Sequence, residues 1–149
     1  MDNRKIELIE HGMVFDHLTF ATGGRVFDVL SKYAWIDGFY PIMVGSFPSK
    51  SKGRKDVAKL DGLHLAEGTG AMNEIALLSP EATVSWIDHG QVLRKKKAWE
   101  CLAPLVTSRL IECPNANCIT HEEAPPTFRV QQRQPLSLEC VYCKRSFMR

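Results

Sequence analysis

Two short cysteine motifs near the end of the chain decide its fold: CPNANC at residues 113–118 and CVYC at residues 140–143. They hold four of the five cysteines in the 149 residues, and 21 residues separate them. Each motif presents two sulfur atoms from one tight turn, and a pair of strands between the turns can bring them together around a tetrahedral Zn²⁺. The spacing therefore predicts one structural zinc ion, held by Cys113, Cys118, Cys140 and Cys143.

The segment that carries these motifs is small. From Cys101 onward it has 49 residues, which is near the size at which a hydrophobic core alone no longer suffices. Two disulfides or inert buried thiols are the alternatives to a metal. The charged residues 1–7 lead into no long apolar run, so we expect no export signal, and paired cysteines in such a chain favour metal over disulfides.

Composition limits the function classes. No stretch approaches the roughly 18 apolar residues that a membrane span needs, so we expect a cytoplasmic protein. The net charge of +2 is too small to indicate nucleic-acid binding by itself. Because the cysteines are clustered, we expect two domains, at residues 1–98 and 99–149. The junction, Ala98–Pro104, is apolar and lacks Gly and Ser, which is typical of a connector that packs against both domains.

Hydrophobic periodicity predicts an α+β fold. A β-α-β-β-α-β order is the ferredoxin-like pattern, in which two helices cover one face of an antiparallel sheet, and one further strand follows here. The C-terminal domain is expected to be a small all-β zinc ribbon, with strands at 109–112, 127–130 and 136–139. The N-terminal elements are a strand at 5–15 with a turn at His11-Gly12, a helix at 24–35, a strand at 39–47, a polar loop at 49–56, a strand at 57–61, a helix from about 67 or 71 to 78, and strands at 82–87 and 91–95 around a turn at 88–90.

Few residues suggest catalysis. Asp16 and His17 are adjacent, and adjacent residues of a strand point to opposite faces, so we do not expect them to act on one another. No nucleophile with a base and no GxxxxGK phosphate loop can be assembled, so an enzyme is not predicted. His121 lies close to Cys118 but is interpreted as a polar surface residue, because four thiolates already complete the site, and Cys101 as a core residue.

A second group of interest is basic. Several cations that converge on a sheet edge can hold a triphosphate through charge-assisted hydrogen bonds. A solvated basic rim and a nucleic-acid surface are the alternatives, although aromatic side chains are not interleaved with the basic ones as stacking would require. The group comprises Lys55, Lys59, Arg94, Lys95, Lys96 and Lys97.

Three segments together resemble the aspartate carbamoyltransferase regulatory chain. They are the GRKDVAK segment at residues 53–59, the SPEATV segment at 79–84 and the CPNANCITH knuckle at 113–121, in this order and spacing. A GMVFDHL segment at 12–18 extends the likeness over nearly the whole chain. The resemblance implies a non-catalytic allosteric subunit of pyrimidine biosynthesis that forms homodimers through its N-terminal domain, binds CTP or ATP there, and docks on the catalytic chain through its zinc domain.

The resemblance also implies roles for individual residues. The backbone around Ile9 would contact the base, Asp16 the ribose and His17 the phosphates. Asn115, Asn117 and Glu123 would contact the catalytic chain. The full set expected to bind nucleotide is Ile9, Asp16, His17, Lys55, Lys59, Ser85, Val92 and Lys95.

Three positions depart from the family pattern. Ser85 stands where the family usually has asparagine, Gly90 where an aromatic residue often lies, and Thr19 where proline is common. A scaffold that bridges catalytic trimers without responding to nucleotide is therefore one alternative function. A zinc-ribbon protein that binds nucleic acid through residues 94–97 is the other.

Overall fold

A computed structural model of the chain describes residues 9–19, 21–38, 40, 42–49 and 53–149. Two antiparallel sheets, two α-helices and two 3₁₀ turns make up the described part. The elements are β1 Gly12–Leu18, α1 Gly23–Asp37, β2 Ile42–Ser49, β3 Gly53–Asp61, α2 Gly70–Leu78, β4 Thr83–Asp88, β5 Gln91–Lys97, a 3₁₀ turn Ala98–Cys101, β6 Leu105–Thr107, a 3₁₀ turn Ile119–His121, β7 Thr127–Arg133, β8 Leu136–Cys140 and β9 Ser146–Met148.

The larger sheet has the strand order β2-β3-β1-β4-β5. Its first four strands have the split-βαβ order, and β5 extends the sheet beyond β4 as a hairpin partner. Both helices pack on one face, where the sheet contributes fully or almost fully buried side chains. The predicted α+β, ferredoxin-like class is confirmed. The core residues of the sheet on this helix-covered face are Met13, Phe15, Ala58, Leu60, Val84 and Trp86.

Both helices form where the apolar pattern predicts them. In α1 the residues at i, i+3 and i+4, Val26, Val29 and Leu30, are all buried. The helix begins at Gly23, whose N–H donates to the buried carboxylate of Asp56 at 2.8 Å. The cap therefore comes from β3 and not from a residue next to the helix. The second helix ends before Pro80, as expected for the residue preceding a proline.

Two N-terminal boundaries differ from the prediction. The turn predicted at His11-Gly12 lies one residue earlier: Glu10 and His11 form a bend, and Gly12 already pairs with Asp61 and Ile87 as the first residue of β1. The segment 53–56 is strand and not loop, since pairing with residues 46–49 satisfies its backbone groups. The predicted strand residues 5–8 and 39, and the turn residues 50–52, lie outside the described part of the chain.

The smaller sheet has the order β6-β7-β8-β9. Its two central strands lie where the sequence predicts them, at 127–133 and 136–140. The strand predicted at 109–112 is wrong: those residues form bends, and the first strand is Leu105–Thr107. The reason is a side-chain turn, because the Leu110 N–H donates to the Ser108 hydroxyl at 3.1 Å and so leaves the ladder.

The connector at 98–104 is held from both sides, as predicted. From the N-terminal side, the Asn73 amide oxygen accepts the Ala103 N–H at 3.0 Å and the Cys101 carbonyl accepts the Gly68 N–H at 2.9 Å. From the C-terminal side, the Arg133 guanidinium donates to the carbonyls of Trp99 and Leu102 at 3.0 and 2.9 Å. The two sheets therefore share a bonded junction.

None of the described helices is both long enough and apolar enough to cross a membrane.

Candidate metal centre and polar sheet face

Four cysteine sulfurs come together at one end of the smaller sheet. The Sγ atoms of Cys113, Cys118, Cys140 and Cys143 all lie within 4.8 Å of one another. The Cys113–Cys143 and Cys118–Cys140 sulfur pairs are 3.4 and 3.6 Å apart. A disulfide has its sulfurs about 2 Å apart, so the four are free thiols. Sulfurs about 2.3 Å from a tetrahedral Zn²⁺ lie roughly 3.8 Å from one another, and the cluster fits that ion.

Two turns present the sulfurs. In the first, the Asn115 side chain accepts the Asn117 N–H at 3.1 Å, and its carbonyl accepts the Cys118 N–H at 3.0 Å. In the second, Cys140 ends β8 and its carbonyl accepts the Lys144 N–H at 2.9 Å. Backbone bonds within each turn thus fix the spacing of its sulfurs, which is why the motif could be recognised in the sequence.

His121 supports the first turn. Its Nε2 lies 3.0 Å from the Cys113 carbonyl and 2.9 Å from the Asn115 carbonyl, so the ring donates to both. The imidazole is exposed, as predicted, but it braces the turn as well as facing solvent. Since the carbonyls of Cys113 and Asn115 engage Nε2, the residue supports the metal centre by holding one ligand and its turn in place.

The electrostatics of the cluster favour a dication. Burial raises the pKa of the Cys113 thiol to about 12. The Arg145 backbone N–H lowers the pKa of Cys143 to about 6, and the hydroxyl and N–H of Thr120 lower that of Cys118. Adjacent thiolates repel unless a cation neutralises them, and a Cys₄ set leaves no position for substrate. The cluster is the site of one structural zinc ion, which Cys113, Cys118, Cys140 and Cys143 would hold.

The second polar region is the face of the larger sheet away from the helix-covered face. Directly paired residues of antiparallel strands share a face. The pairing of β3, β1, β4 and β5 therefore aligns mostly polar side chains in rows that run across these four strands. One row contains Lys59, Val14, Ser85 and Lys95. The next contains Asp16, Thr83 and Lys97, and we call these two rows and their flanks the polar face.

The Asp16 carboxylate is the centre of this face. The Lys55 ammonium lies 2.9 Å away, and the His17 backbone N–H donates to the carboxylate at 2.7 Å. Burial raises the pKa of Asp16, but these two groups and the nearby charges outweigh it, so the pKa lies below its ordinary value. The ring of His17 approaches the same carboxylate, with its Nδ1 3.7 Å away.

The expectation that Asp16 and His17 point apart is therefore wrong. The register of β1 with β3 shifts between Phe15 and Leu18, and His17 has a φ of 58°. A residue in the left-handed region does not follow strand alternation, and its side chain returns to the side of its neighbour. Such a conformation is strained for a residue with a Cβ, and strained backbone residues of this kind are concentrated at functional sites.

The basic group splits between the two faces of β5. Lys95 and Lys97 belong to the polar face, and Lys95 has no ion-pair partner among the described residues. Arg94 and Lys96 lie on the opposite side, where both bind the Glu67 carboxylate at 2.9 and 3.0 Å. Arg94 also lies over the Trp86 ring, 4.1 Å from its centroid. The six cations do not form one patch.

Two of the remaining predicted ligands, Lys59 and Ser85, lie in the same row as Lys95. The other two lie toward the β4–β5 turn, where the Glu10 carbonyl accepts the Gly90 N–H at 2.9 Å. Val92 pairs with Ile87 and is 56% exposed, whereas Ile9 is buried next to the start of β1. Lys59 and Ser85 are also buried, at 8 and 7% exposed. Gly90 occupies the β4–β5 turn with a φ of 73°, which explains a glycine there.

Fold and site together define a class: a ferredoxin-like domain bonded through a packed connector to a small all-β domain with a structural Cys₄ zinc. Residues 4–98 match the profile of the aspartate carbamoyltransferase regulatory chain, allosteric domain, and residues 106–149 match that of its metal binding domain. The chain belongs to the aspartate carbamoyltransferase regulatory chain family. As a member it is a non-catalytic regulatory chain with an allosteric and a metal-binding domain.

Relatives agree over almost the full length. The regulatory chain of Thermococcus kodakarensis is 35% identical over 146 residues, which is 97% of this chain and 92% of the relative. That of Pyrococcus furiosus is 36% identical over 98% of this chain and 93% of its own length. That of Methanococcus maripaludis is 34% identical over 95% and 90%. The similarity therefore covers both domains.

Proposed function

We propose that this chain binds a nucleoside triphosphate, CTP or ATP, on the polar face and transmits its occupancy to the catalytic chain of aspartate carbamoyltransferase through the metal-binding domain. The observation that carries the proposal is the convergence of Asp16, Lys55, Lys59 and Lys95 from three strands, β1, β3 and β5, onto one face. Lysines supply charge for phosphates, and a carboxylate supplies acceptors for ribose hydroxyls.

The polar face offers a subsite for each part of a nucleotide. Val92 is exposed on β5, and the chain beside Ile9 is bonded to the β4–β5 turn through the Glu10 carbonyl, so an apolar surface for a base is proposed there. At the other end, Asp16 suits the ribose and Lys55 lies beside it. Lys95 is exposed on the edge strand and is available to phosphates. Ser85 lies between, paired with Lys95 and with Val14, where its hydroxyl replaces a longer amide.

Docking on the catalytic chain is proposed for the surface around the first cysteine turn. Residues 116–119 and 121–123 line a concavity of about 310 Å³. Ile119 is 50% exposed at this surface, and Asn117 and Glu123 are exposed around it. An apolar centre with a polar rim is the usual composition of a protein interface. Asn115 contributes mainly by shaping the turn, since its side chain binds the Asn117 N–H.

Homodimerisation is proposed through the β2 edge of the N-terminal domain, residues 1–98, with residues 99–149 forming the second domain. Among the strands that the structure describes, β2 and β5 are the edges of the larger sheet. Charged side chains protect β5 against pairing, whereas Ile42–Ser49 carries none, and Val44 there is 40% exposed. Phe27 on the adjacent helix is 41% exposed, so a second copy would bury both.

Nucleic-acid binding is the less favoured function. It would need a continuous basic surface, and Arg94 and Lys96 instead neutralise Glu67 on the other side of β5. A bridging scaffold without nucleotide response differs from our proposal only in the occupancy of the polar face.

Calorimetric titration of the zinc-loaded chain with CTP and with ATP tests the proposal. Lys95→Ala should weaken binding by roughly tenfold or more, because a charge-assisted phosphate contact is lost. Lys96→Ala removes the same charge from the next residue on the opposite face and serves as the matched control. Equal losses in both variants would indicate non-specific attraction. An absence of binding heat, together with co-purification with a catalytic chain, would establish the scaffold alternative.

A further inference from the structure

The turn between α2 and β4, residues 79–82, is bonded both to the end of β1 and to the start of the connector, and we call it the junction turn. On one side its first residue, Ser79, accepts the backbone N–H of Thr19 at 3.0 Å through its hydroxyl. The two hydroxyls of Ser79 and Thr19 also lie 3.3 Å apart. Ser79 is only 1% exposed, so these bonds form away from water.

On its other side the junction turn holds the connector. The Pro80 carbonyl accepts the Trp99 N–H at 3.0 Å, and the Ala82 carbonyl accepts the Ala98 N–H at 2.8 Å. Within the turn, the Ala82 N–H donates to the Ser79 carbonyl at 3.1 Å. A displacement of the turn must therefore move the first residues of the connector.

A second link runs from the end of α2 directly to the metal-binding domain. The guanidinium of Arg149 donates from Nε to the Leu77 carbonyl at 2.8 Å. The Arg149 backbone N–H donates to the carbonyl of Leu136, the first residue of β8, at 2.9 Å. The last turn of α2 is thus bonded to the strand that ends in Cys140.

Thr19 is placed to respond to a ligand because it follows the distorted end of β1. His17 has a φ of 58° and Ala21 a φ of 74°, and both carry a Cβ. A segment held in such conformations stores backbone strain, which a ligand on Asp16 or His17 would alter. The Ser79 hydroxyl joins this segment to α2.

We propose that Ser79 is a positioning residue for regulation: it couples the strained end of β1 to the connector and the metal-binding domain without touching the nucleotide. This inference rests on the proposed nucleotide function. A ligand that relaxes the backbone at His17 would shift the junction turn through the Thr19 N–H bond. Ser79→Ala would then leave the ligand contacts intact and disconnect them from the catalytic chain.

The experiment uses the zinc-loaded full chain alone and assembled with its catalytic chain. Two quantities are measured for CTP and for ATP: the dissociation constant for the isolated chain and the fold-change that saturating nucleotide produces in catalytic activity. For Ser79→Ala we expect the dissociation constant to stay within about twofold, while the nucleotide effect on activity shrinks about fivefold, which corresponds to the loss of one hydrogen bond.

Three further variants serve as two controls and as a test of the second link. Ser108→Ala removes a comparable buried hydroxyl, 4% exposed, from the metal-binding domain and should keep the full effect. Thr19→Ala keeps the bond from the Thr19 N–H to the Ser79 hydroxyl, so it should also keep the full nucleotide effect on activity. Arg149→Ala breaks the second link and should reduce the effect, and it replaces Ser79→Ala if that variant does not fold. Amide exchange in the connector, residues 98–104, should change on nucleotide addition in the wild type and in Ser108→Ala and Thr19→Ala, but not in Ser79→Ala.

The failures are distinguishable. If the wild type binds and responds to nucleotide while Ser79→Ala and Arg149→Ala respond as strongly as Ser108→Ala, the positioning role is refuted and the proposed function stands. If the wild type binds no nucleotide, the proposed function fails and the positioning role fails with it.

Discussion

The metal centre and the polar face are built in opposite ways. Each pair of zinc ligands comes from one turn, and backbone bonds inside that turn hold the sulfurs, as between Asn115 and Cys118. The polar face is assembled from four strands, so Lys55, Asp16 and Lys95 share one face only because the sheet has its particular register. A local site depends on its ion, whereas a distributed site depends on the fold around it.

The two domains also differ in the size of their hydrophobic cores. The N-terminal sheet and helices enclose fully buried side chains such as Phe15, Met72 and Ile75. The four-stranded sheet adds a smaller set, including Phe128 and Leu138, and closes around Cys140. Small cores of this kind commonly need a metal to reach stability. The two domains should therefore differ most in their response to chelation.

Removal of zinc is expected to have the largest effect. Structural zinc contributes on the order of 10–16 kcal/mol in small domains, more than the net stability of a typical domain. A chelator should unfold residues 105–148 and leave the N-terminal sheet protected, as measured by residue-resolved amide exchange.

Cys140→Ser should have the same effect as the chelator. Cys101→Ala is the matched control, because Cys101 is equally buried but stands outside the cluster. Uniform unfolding of both domains on chelation would show that they are one cooperative unit.

The junction between the domains should give the next largest effect. Arg133 donates to two connector carbonyls, so Arg133→Ala leaves both unpaired and should lower the free energy of unfolding by about 2 kcal/mol. Arg129 is on the same strand but is 52% exposed and pairs with Glu139 at the surface. Arg129→Ala should cost less than about 1 kcal/mol. Urea denaturation of both variants measures the contrast, and equal costs would contradict the assigned role of Arg133.

The sequence predicted the local site better than the distributed one for a physical reason. Spacing fixes which atoms of a turn are close, so the four cysteines could be named without a fold. The partners of Arg133 are 31 and 34 positions away, and Asp56 caps a helix 33 positions before it. No local pattern signals such pairs.

Strand periodicity could have separated Arg94 from Lys95, since neighbours alternate between faces. Which residues of a strand face which side, however, also depends on register shifts between strands, and the sequence does not reveal these. The register of β4 with β5 shifts between Trp86 and Ile87, and that of β1 with β3 shifts before Leu18. The second shift is what brings His17 back to Asp16, against the prediction.

Loss of the cap of α1 should have a moderate effect on stability, and two substitutions of Asp56 separate the contribution of its hydrogen bond from that of its charge. Asp56 is 6% exposed and accepts the Gly23 N–H at the start of the helix. Asp56→Ala should destabilise the protein by about 1–2 kcal/mol, as for other lost N-caps. Asp56→Asn keeps an acceptor and should cost less than half of that. Thermal unfolding of the pair checks the order, and an equal loss would mean that the carboxylate charge, and not the hydrogen bond, stabilises the helix.

The smallest effect is expected from Asp16, and it depends on pH. Its pKa is lower in the folded protein than its ordinary value of 3.8. The unfolded chain therefore binds the proton more readily, so the stabilisation is complete above the ordinary value and is lost as pH falls through the folded value. The carboxylate side chain is 34% exposed, and solvent screening limits the contribution of its pair with Lys55 to less than about 1 kcal/mol.

Asp16→Asn should thus be slightly less stable than the wild type at pH 7, and the difference should shrink as the pH falls below 3.8. Urea midpoints at pH 7 and at a series of acidic pH values measure the difference, and any loss of zinc in acid affects both proteins equally. Asp28→Asn removes an exposed carboxyl from α1 and controls for the change in net charge. A difference that grows in acid would mean that Asp16 is destabilised by its burial, and the polar face would then be strained before any ligand arrives.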